Sequence, residues 1–478
     1  MAYRCGNRLQ MCLLPQSIEE YVAVEDPVRV YDAFVDALNL AELGIEVNPY
    51  KVGNSEYDPR AMLKLLVYGY SYGVKSSRKL EREVHHNLSF MWLMGGLKPD
   101  HKTIAEFRSR HKAALQRVLR QCVRMCLKLD LIAGNVLFVD GTKIRANAAT
   151  AQSHDQGWYH SRLADVDRHI DHLLEDCERI DRTEQQQGSL VSVRKELASA
   201  ERYKQSILEV LTQFDTTEAT KLNQTDPDCA VMRSVQGTHA GYNVQAVVDD
   251  RRGLIVHAEA VSAANDLNQF AHQIEQAHEV LGRASQSACA DAGYADTSEL
   301  EKIDAQGVQV IVPSQRQASR QGPKPFSKAV FRYDPQADCY YCPEGHRLRW
   351  TSTYAKTGCR YYTITDKRLC AACRHWGRCT CSRFGRRLIR LPLEQTKQRL
   401  EAQYEQPECQ QIFARRKTRS EHPFGHIKRN LKTDAFMLRG RQGVQAEVSL
   451  LSTCFNLARM ITLRGVARLI KNFSVAAA

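Results

Sequence analysis

The sequence predicts an α/β protein in which a mixed sheet flanked by helices follows an all-helical N-terminal unit. The apolar run from Val136 to Val139 indicates a strand buried on both faces. The segment 242–248 alternates apolar and polar residues, and 254–258 returns after a turn, which indicates a β-hairpin. Apolar residues at helical spacing fill residues 58–131. A chain of 478 residues should form two or three folded units.

The N-terminal unit, residues 1–131, is predicted to be a helical DNA-binding domain. Asp100 and Thr103 are candidate caps for its third helical segment. Small polar and basic residues stand at two helix starts, 76–80 and 101–103, where they suit phosphate contacts. A helical packing or oligomerisation domain is the alternative.

Residues 151–225 are predicted to be an antiparallel helical hairpin inserted into the sheet domain. Apolar residues step by threes and fours along both arms, and a polar stretch at 185–188 makes the bend. The insertion is expected to be structural, and an arm that contacts DNA or a second subunit is the alternative.

The remaining elements extend the sheet. A helix capped at Asn265 and Asp266, a short strand that ends at Asp291, a helix over 296–305 and a strand over 308–312 follow in order. From Leu388 onward the pattern is helical and basic. The predicted domains are therefore a core first part at 132–330, a Cys-rich insertion at 331–384 and a helical C-terminal part of the core at 385–478.

The charge distribution points to a polyanionic partner. The formal net charge is +13, and between Arg374 and Arg439 there are 16 Lys and Arg against 6 Asp and Glu. A solvated mixed-charge surface is the alternative. No apolar run is long enough to span a membrane and no signal peptide is recognisable, so a soluble protein inside the cell is expected.

Five cysteines at close spacings predict a structural zinc site. In a chain without a secretion signal such spacing favours metal ligands over disulfides. More candidates exist than the four places a zinc ion offers, since Cys381, His346 or His375 could substitute, and buried structural thiols are the alternative. The candidates are Cys339, Cys342, Cys370, Cys373 and Cys379.

Three carboxylates occur in contexts that suggest a site for hard cations. Asp140 follows the buried run and precedes Gly141, Asp291 ends a second strand, and Glu421 lies on a helix among cations. Each alone is more often a turn former or a helix cap. Together, on separate elements with a basic surround, they suit two divalent cations that face a phosphodiester.

Four motifs in a fixed order carry a family resemblance. They are FVDGTK at 138–143, THAGYNVQ at 238–245, ADAGY at 290–294 and EHPFGHIK at 421–428. With these motifs the chain resembles a DDE transposase of a bacterial insertion sequence, which has an RNase H-like catalytic core. The resemblance covers nearly the whole chain. Any one motif is weak, whereas the ordered set is specific.

The resemblance implies that Asp140, Asp291 and Glu421 bind two Mg²⁺ or Mn²⁺ ions. Where related transposases carry a Tyr and an Arg before the glutamate, this chain has Ala414 and Lys417. Neighbouring cations are therefore candidates for that role. The candidate DNA-binding residues are Lys143, Arg145, Arg415, Arg416, Lys417, Arg419, Lys428 and Arg429.

The implied function is DNA transposition, in which metal-dependent cleavage at the element ends precedes strand transfer into target DNA. The expected partners are double-stranded DNA, both terminal inverted repeats and target, and further copies of the chain on that DNA. A prokaryotic, cytoplasmic, nucleoid-associated location follows. A DNA-binding regulator that has lost catalysis and an RNase H-like nuclease are the alternatives.

Overall fold

The computed structural model describes residues 17–47, 56–182, 187–217, 219–234, 237–319 and 325–477. The N-terminal part is helical throughout its described residues, as predicted. Asp100 caps α6 by accepting the backbone N–H of Thr103 at 2.7 Å. The helices are α1 (Val28–Asp36), α2 (Leu40–Leu43), α3 (Pro59–Ser71), α4 (Ser77–His86), α5 (Leu88–Leu93), α6 (His101–Arg110) and α7 (Lys112–Lys128).

The middle of the chain contains the first strands and the helical hairpin. In order they are β1 (Val136–Arg145), β2 (Ser153–His154), α8 (Gln156–Arg182), α9 (Gln187–Thr216), β3 (Leu222–Asn223), β4 (Ala230–Ser234), β5 (Gly237–Asp249), β6 (Ile255–Val261) and α10 (Phe270–Leu281).

The remaining elements include five strands of the Cys-rich region. They are β7 (Ser287–Cys289), α11 (Thr297–Asp304), β8 (Gln309–Ile311), α12 (Gln315–Ala318), β9 (Arg332–Asp334), β10 (Cys339–Tyr341), β11 (Arg347–Tyr354), β12 (Cys359–Ile364), α13 (Lys367–Ala371), β13 (Arg387–Arg390), α14 (Glu394–Tyr404), α15 (Pro407–Arg429), α16 (Gly440–Arg464) and α17 (Val466–Ala477).

The chain forms two compact units. Unit 1 comprises residues 1–266, 273–285 and 417–478, and unit 2 comprises residues 267–272 and 286–416. The mixed α/β class predicted from the sequence is confirmed. No helix within the described residues is both long and apolar enough to cross a membrane.

The sheet of unit 1 is organised around the long strand β5. This strand pairs antiparallel with β1, β4 and β6, and the hairpin predicted at 242–258 is its pairing with β6. Leu137, Phe138 and Val139 are fully buried, as the apolar run predicted. The strand does not end at Asp140, however. It continues to Arg145, because every residue from Leu137 to Arg145 has a partner on β5.

Helix α16 is the central helix of unit 1. It packs against α7, α3 and β6, and its middle turns are buried on all sides. Buried Glu447 accepts the Tyr70 hydroxyl at 2.9 Å and the backbone N–H of Met437 at 2.9 Å. These bonds satisfy a carboxyl group that has no access to water. Burial raises the pKa of Glu447.

The predicted helical hairpin is present as α8 packed against α9. Its core joins Tyr159 and Val166 of the first arm to Ile207 and Val210 of the second. Lys204 and Asp167 form an ion pair across the arms at 2.7 Å. The predicted bend at 185–188 lies partly outside the described residues.

Unit 2 contains two sets of strands. Strands β7 and β8 pair in parallel, and β13, β12, β11, β10 and β9 form an antiparallel sheet in that order. The helix expected from Leu388 begins only at Glu394, because residues 387–390 pair with β12 as a strand. Likewise, the helix expected after Asp266 begins only at Phe270.

Candidate active site

Asp140 lies in the middle of β1 and is half-buried. Its Oδ1 accepts the backbone N–H of Gly141 at 2.9 Å. Its Oδ2 accepts the hydroxyl of Ser420 at 2.9 Å. The carboxylate is therefore oriented on both oxygens before any ligand arrives, which is a form of preorganisation.

Ser420 links β1 to the helix that carries Glu421. Ser420 lies on α15 and is fully buried, whereas the next residue, Glu421, is exposed. Successive residues of a helix point about 100° apart, so one turn can bury a serine and expose a carboxylate. The Ser420–Asp140 bond thereby holds the turn that carries Glu421 against the strand that carries Asp140.

A second contact holds the same helix to the same strand. Lys428 Nζ donates to Thr142 Oγ1 at 2.5 Å, and burial lowers the pKa of this lysine. Asp140 and Thr142 are two residues apart and therefore project from the same face of β1. Arg419 Nε adds an ion pair to Asp250 Oδ1 at 3.3 Å. The C-terminal half of α15 is thus fixed at three points within unit 1.

Asp291 lies in unit 2, two residues after β7 ends. Its Oδ1 accepts the backbone N–H of Gly293 at 2.7 Å and so caps the short turn Ala292–Tyr294. Tyr294 is fully buried and packs edge-on against Phe270. The bond uses one lone pair of a half-buried carboxylate that has further acceptor capacity.

A polar cluster occupies the opposite face of β1 beside Asp140. Asp266 Oδ1 accepts Asn243 Nδ2 at 2.8 Å and Gln245 Nε2 at 2.7 Å, and both amide residues are buried. Gly141 lies directly across from Gln245. Protein side chains already fill the space beside this glycine, so it does not open the strand to a ligand on this face.

Gly141→Ala is expected to destabilise the protein by about 1–3 kcal/mol through overpacking. An added Cβ would lie 2.5 Å from Gln245 Nε2 and 2.7 Å from Asp266 Oδ1. Gly425→Ala is the matched control, because no atom other than those of its chain neighbours and its own helix backbone lies within 4 Å of its added Cβ. In a helix that change should be neutral or stabilise by up to about 1 kcal/mol. Urea unfolding measures both, and equal midpoints for the two variants would contradict the packing argument.

The predicted DNA-binding cations differ in their surroundings. Lys143 Nζ donates to the backbone carbonyl of Arg233 at 2.8 Å. Arg416 is half-buried with its guanidinium 5.7 Å from the Phe413 ring centroid, and Arg419 and Lys428 make the contacts described above. The exposed cations of this set are Arg145, Arg415, Lys417 and Arg429.

Four of the five candidate zinc ligands line one small cavity of unit 2. Cys342, Cys370, Cys373 and Cys379 surround a volume of about 30 Å³. Burial raises the pKa of Cys379, and the nearby Cys370, Cys342 and Cys373 raise it further, while Arg386 opposes them. Cys339 is instead fully buried within β10 and does not line the cavity.

Backbone N–H groups point at three of these sulfurs. The donors are His346 to Cys342 Sγ at 3.3 Å, Arg386 to Cys370 Sγ at 3.4 Å and His375 to Cys373 Sγ at 3.4 Å. Hydrogen bonds from N–H groups stabilise a thiolate over a thiol.

His346 and His375 also line the cavity. His375 Nε2 is bonded to Glu344 Oε1 at 3.0 Å, and the same oxygen accepts Arg374 Nη2 at 2.8 Å. A carboxylate bonded to one ring nitrogen is the usual surrounding of a metal-binding histidine, so Nδ1 of His375 is an alternative to one of the four sulfurs.

Sequence reasoning missed the contacts that hold the elements around Asp140 together. Ser420, Thr142 and Asp266 each act through a partner more than 20 residues away. Asp266 resembled a helix cap because an Asn-Asp pair often precedes a helix. Thr142 could have been noticed because it lies within the motif at 138–143, and Ser420 because it directly precedes the motif at 421–428.

Two transposase families match separate parts of the chain. A transposase domain family (DUF772) matches residues 16–110. A transposase DDE domain family matches residues 341–461, a range that includes Glu421 but not Asp140 or Asp291.

Comparison with solved structures finds the piggyBac transposase in a synaptic complex with hairpin DNA. The TM-score is 0.34 at 7% identity, over 95% of this chain and 80% of that one. No curated protein matches the chain. The two matches, a transposase domain toward one end and a transposase DDE domain toward the other, together support a DDE-type transposase.

Proposed function

We propose that the enzyme cleaves the phosphodiester bond at each end of its own element and joins the freed end to target DNA. The observation that carries this proposal is the Ser420–Asp140 bond, because it fixes the Glu421 turn beside Asp140 within one unit. In this proposal Asp291 supplies the third carboxylate.

The carboxylates suit divalent cations bound in the manner of Mg²⁺. The described ranges contain no group of three or more His, Cys, Asp or Glu side chains that is already gathered to hold a metal ion. Mg²⁺ does not need one, since it keeps several waters and binds through one or two carboxylates plus substrate phosphates. When bound, two such ions would stabilise the attacking and the leaving oxygen of the phosphodiester.

The protein's own groups orient the reaction. Asp140, Asp291 and Glu421 would supply the oxygen ligands, and the Ser420 hydroxyl holds the Asp140 carboxylate in place. In the first step a water oxygen attacks phosphorus and the bond to the 3′ oxygen breaks, which leaves a 3′-hydroxyl. In the second step that hydroxyl attacks a target phosphorus and displaces another 3′ oxygen.

Exposed cations near Glu421 would bind the DNA around the cleavage site. Lys417 and Arg429 lie four residues before and eight after Glu421 on the same helix and are exposed. Arginine and lysine contacts to phosphates position a duplex without reading its sequence. Terminal repeats, target DNA and further copies of the chain are the proposed partners, in a nucleoid-associated location.

The test is incubation of the purified protein with element-end DNA and Mg²⁺. We expect nicking at the element end and joining of the 3′ end to a second duplex. Cleavage without joining would indicate a nuclease. Binding without cleavage would indicate a regulator that has lost catalysis.

A structural zinc ion is proposed for the cavity lined by Cys342, Cys370, Cys373 and Cys379. Four cysteines around a space of about 30 Å³ can supply the four thiolates of a tetrahedral site, in which zinc–sulfur bonds are about 2.3 Å. Because the side chains are not yet gathered as ligands, the sulfurs would turn toward the centre when an ion enters. Gly345, with φ at +80°, makes the tight turn that follows Cys342.

A further inference from the structure

The five-stranded sheet of unit 2 lies in the most one-sidedly charged part of the chain. Residues 347–393 contain 12 Lys and Arg and a single acid, Asp366. None of the twelve belongs to the DNA-binding set predicted from the sequence. Such an imbalance needs an explanation, because like charges held together destabilise a fold.

Strand register gathers several of these arginines on one face. Thr363 on β12 pairs with Arg349 on β11 and with Arg387 on β13, and directly opposite residues share a face. We call this surface the Arg–Tyr face, and its residues are Arg332, Tyr341, Arg347, Arg349, Tyr361 and Arg387.

The Arg–Tyr face is the solvent side of the sheet. The other side holds the core, with Tyr340, Leu348, Tyr362 and Leu388 buried together. Arg332, Arg349 and Arg387 are exposed. Within the described residues, neither Arg349 nor Arg387 forms an ion pair with a carboxylate.

Two of the arginines are held by aromatic rings. The Arg387 guanidinium lies 3.7 Å from the Tyr361 ring centroid, and that of Arg332 lies 5.1 Å from the Tyr341 centroid. Stacking restricts the side chain but leaves the N–H groups at the guanidinium edge able to donate. The acid on this face, Asp334, accepts backbone N–H groups of Gln336 and Ala337.

We propose that the Arg–Tyr face binds the phosphate backbone of duplex DNA, as a second contact surface separate from the carboxylates. This rests on the proposed function, since it names the surface that holds the substrate. Arg349 and Arg387 stand two strand spacings apart, about 10 Å. They can therefore reach separate phosphates of one duplex, and planar guanidinium groups match phosphate oxygens in pairs.

The chemistry of the face favours DNA over an acidic protein partner. Protein interfaces are centred on buried apolar anchors, whereas the middle strand of this face, β11, contributes Arg349, and Thr363 beside it lies between two arginines. An extended array of cations instead suits a partner with regularly spaced charges. Contacts of this type carry no sequence information, so random and element-end duplexes should depend on the face equally.

The test measures binding of a duplex of about 30 bp by fluorescence anisotropy. No Mg²⁺ is added, so that no cleavage occurs, and no chelator is used, because a chelator would remove the structural zinc. At 0.1 M salt each lost phosphate contact should weaken binding about eightfold, so Arg349→Gln with Arg387→Gln should weaken it roughly sixtyfold. The slope of log affinity against log salt should fall by about 1 per contact.

The matched control removes two arginines of the same unit that already have carboxylate partners. Arg316 pairs with Glu401 at 3.0 Å, and Arg399 pairs with Asp304. Arg316→Gln with Arg399→Gln should leave affinity within about twofold and the slope unchanged. The Arg349→Lys/Arg387→Lys variant keeps both positive charges and should retain most of the affinity for DNA. This variant keeps the test decisive if the Gln variant fails to fold.

The proposal is overturned if the Arg349→Gln/Arg387→Gln variant binds the duplex with the same affinity as the wild type or as the control variant. The proposal is also overturned if the Arg349→Lys/Arg387→Lys variant loses as much affinity as the Gln variant, because equal losses would indicate a damaged fold. A wild-type protein that binds DNA through this face but never cuts it would defeat the catalytic proposal alone. Normal cleavage by the wild type, with DNA binding unchanged in the Arg349/Arg387 variants, would defeat the Arg–Tyr face proposal alone.

Discussion

Replacing Asp140 by Asn, Asp291 by Asn or Glu421 by Gln is expected to lower cleavage of element-end DNA at least about a thousandfold, a barrier increase of about 4 kcal/mol. Each change keeps the size of the side chain but removes the negative charge that the cations need. In Asp140→Asn the contacts to Ser420 and Gly141 can persist as amide hydrogen bonds, so folding should survive.

Binding of DNA separates a catalytic loss from a folding defect. It should persist in all three variants, or tighten slightly, because less negative charge faces the phosphates. Glu408→Gln is the matched control, since Glu408 is an exposed carboxylate on the same helix as Glu421. Its cleavage rate should equal that of the wild type.

The losses should not add when two carboxylates are changed together. A site that lacks one ligand has already lost its cation geometry, so a second change has little left to remove. The Asp140/Glu421 double variant should therefore match either single variant. Retention of more than about a tenth of wild-type cleavage, a change under about 1.4 kcal/mol, would remove that residue from the site.

Changing Cys370 or Cys373 to Ser is expected to remove zinc from the protein and to unfold the five-stranded sheet of unit 2. Structural zinc contributes on the order of 10 kcal/mol to the stability of a small domain, far more than its apolar core could replace. That core here is the small cluster around Tyr340, Tyr362 and Leu388. Metal content per chain and limited proteolysis measure the two effects.

Cys381→Ser is the control for the zinc prediction, because Cys381 is exposed and does not line the cavity. It should retain about one zinc per chain. Less than about half an equivalent in well-folded wild-type protein after mild chelation would refute the zinc site. Equal loss in the Cys381 variant and in the Cys370 variant would refute the choice of ligands.

The elements of the fold were predictable wherever the local pattern and the tertiary environment agree. The buried run at 136–139, the hairpin around β5 and β6, the helical hairpin and the Asp100 cap all follow from periodicity or capping chemistry. Errors occurred where a partner strand decided the outcome. Residues 387–390 combine Arg and Leu, which favour helices, with Ile, which favours strands, and pairing with β12 makes them a strand.

The candidate site was likewise predictable only in part. The sequence by itself determined which types of side chain the candidate sites contain. Carboxylates, cations and closely spaced cysteines can be recognised there because they do not fit the apolar periodicity of a packed core. The sequence could not determine which of them meet. Only the tertiary structure brings Ser420 to Asp140 across 280 positions and places four cysteines, without Cys339, around one cavity. The physical reason is that hydrogen bonds and strand register between distant segments are set by the packing of the whole unit, which no local window contains.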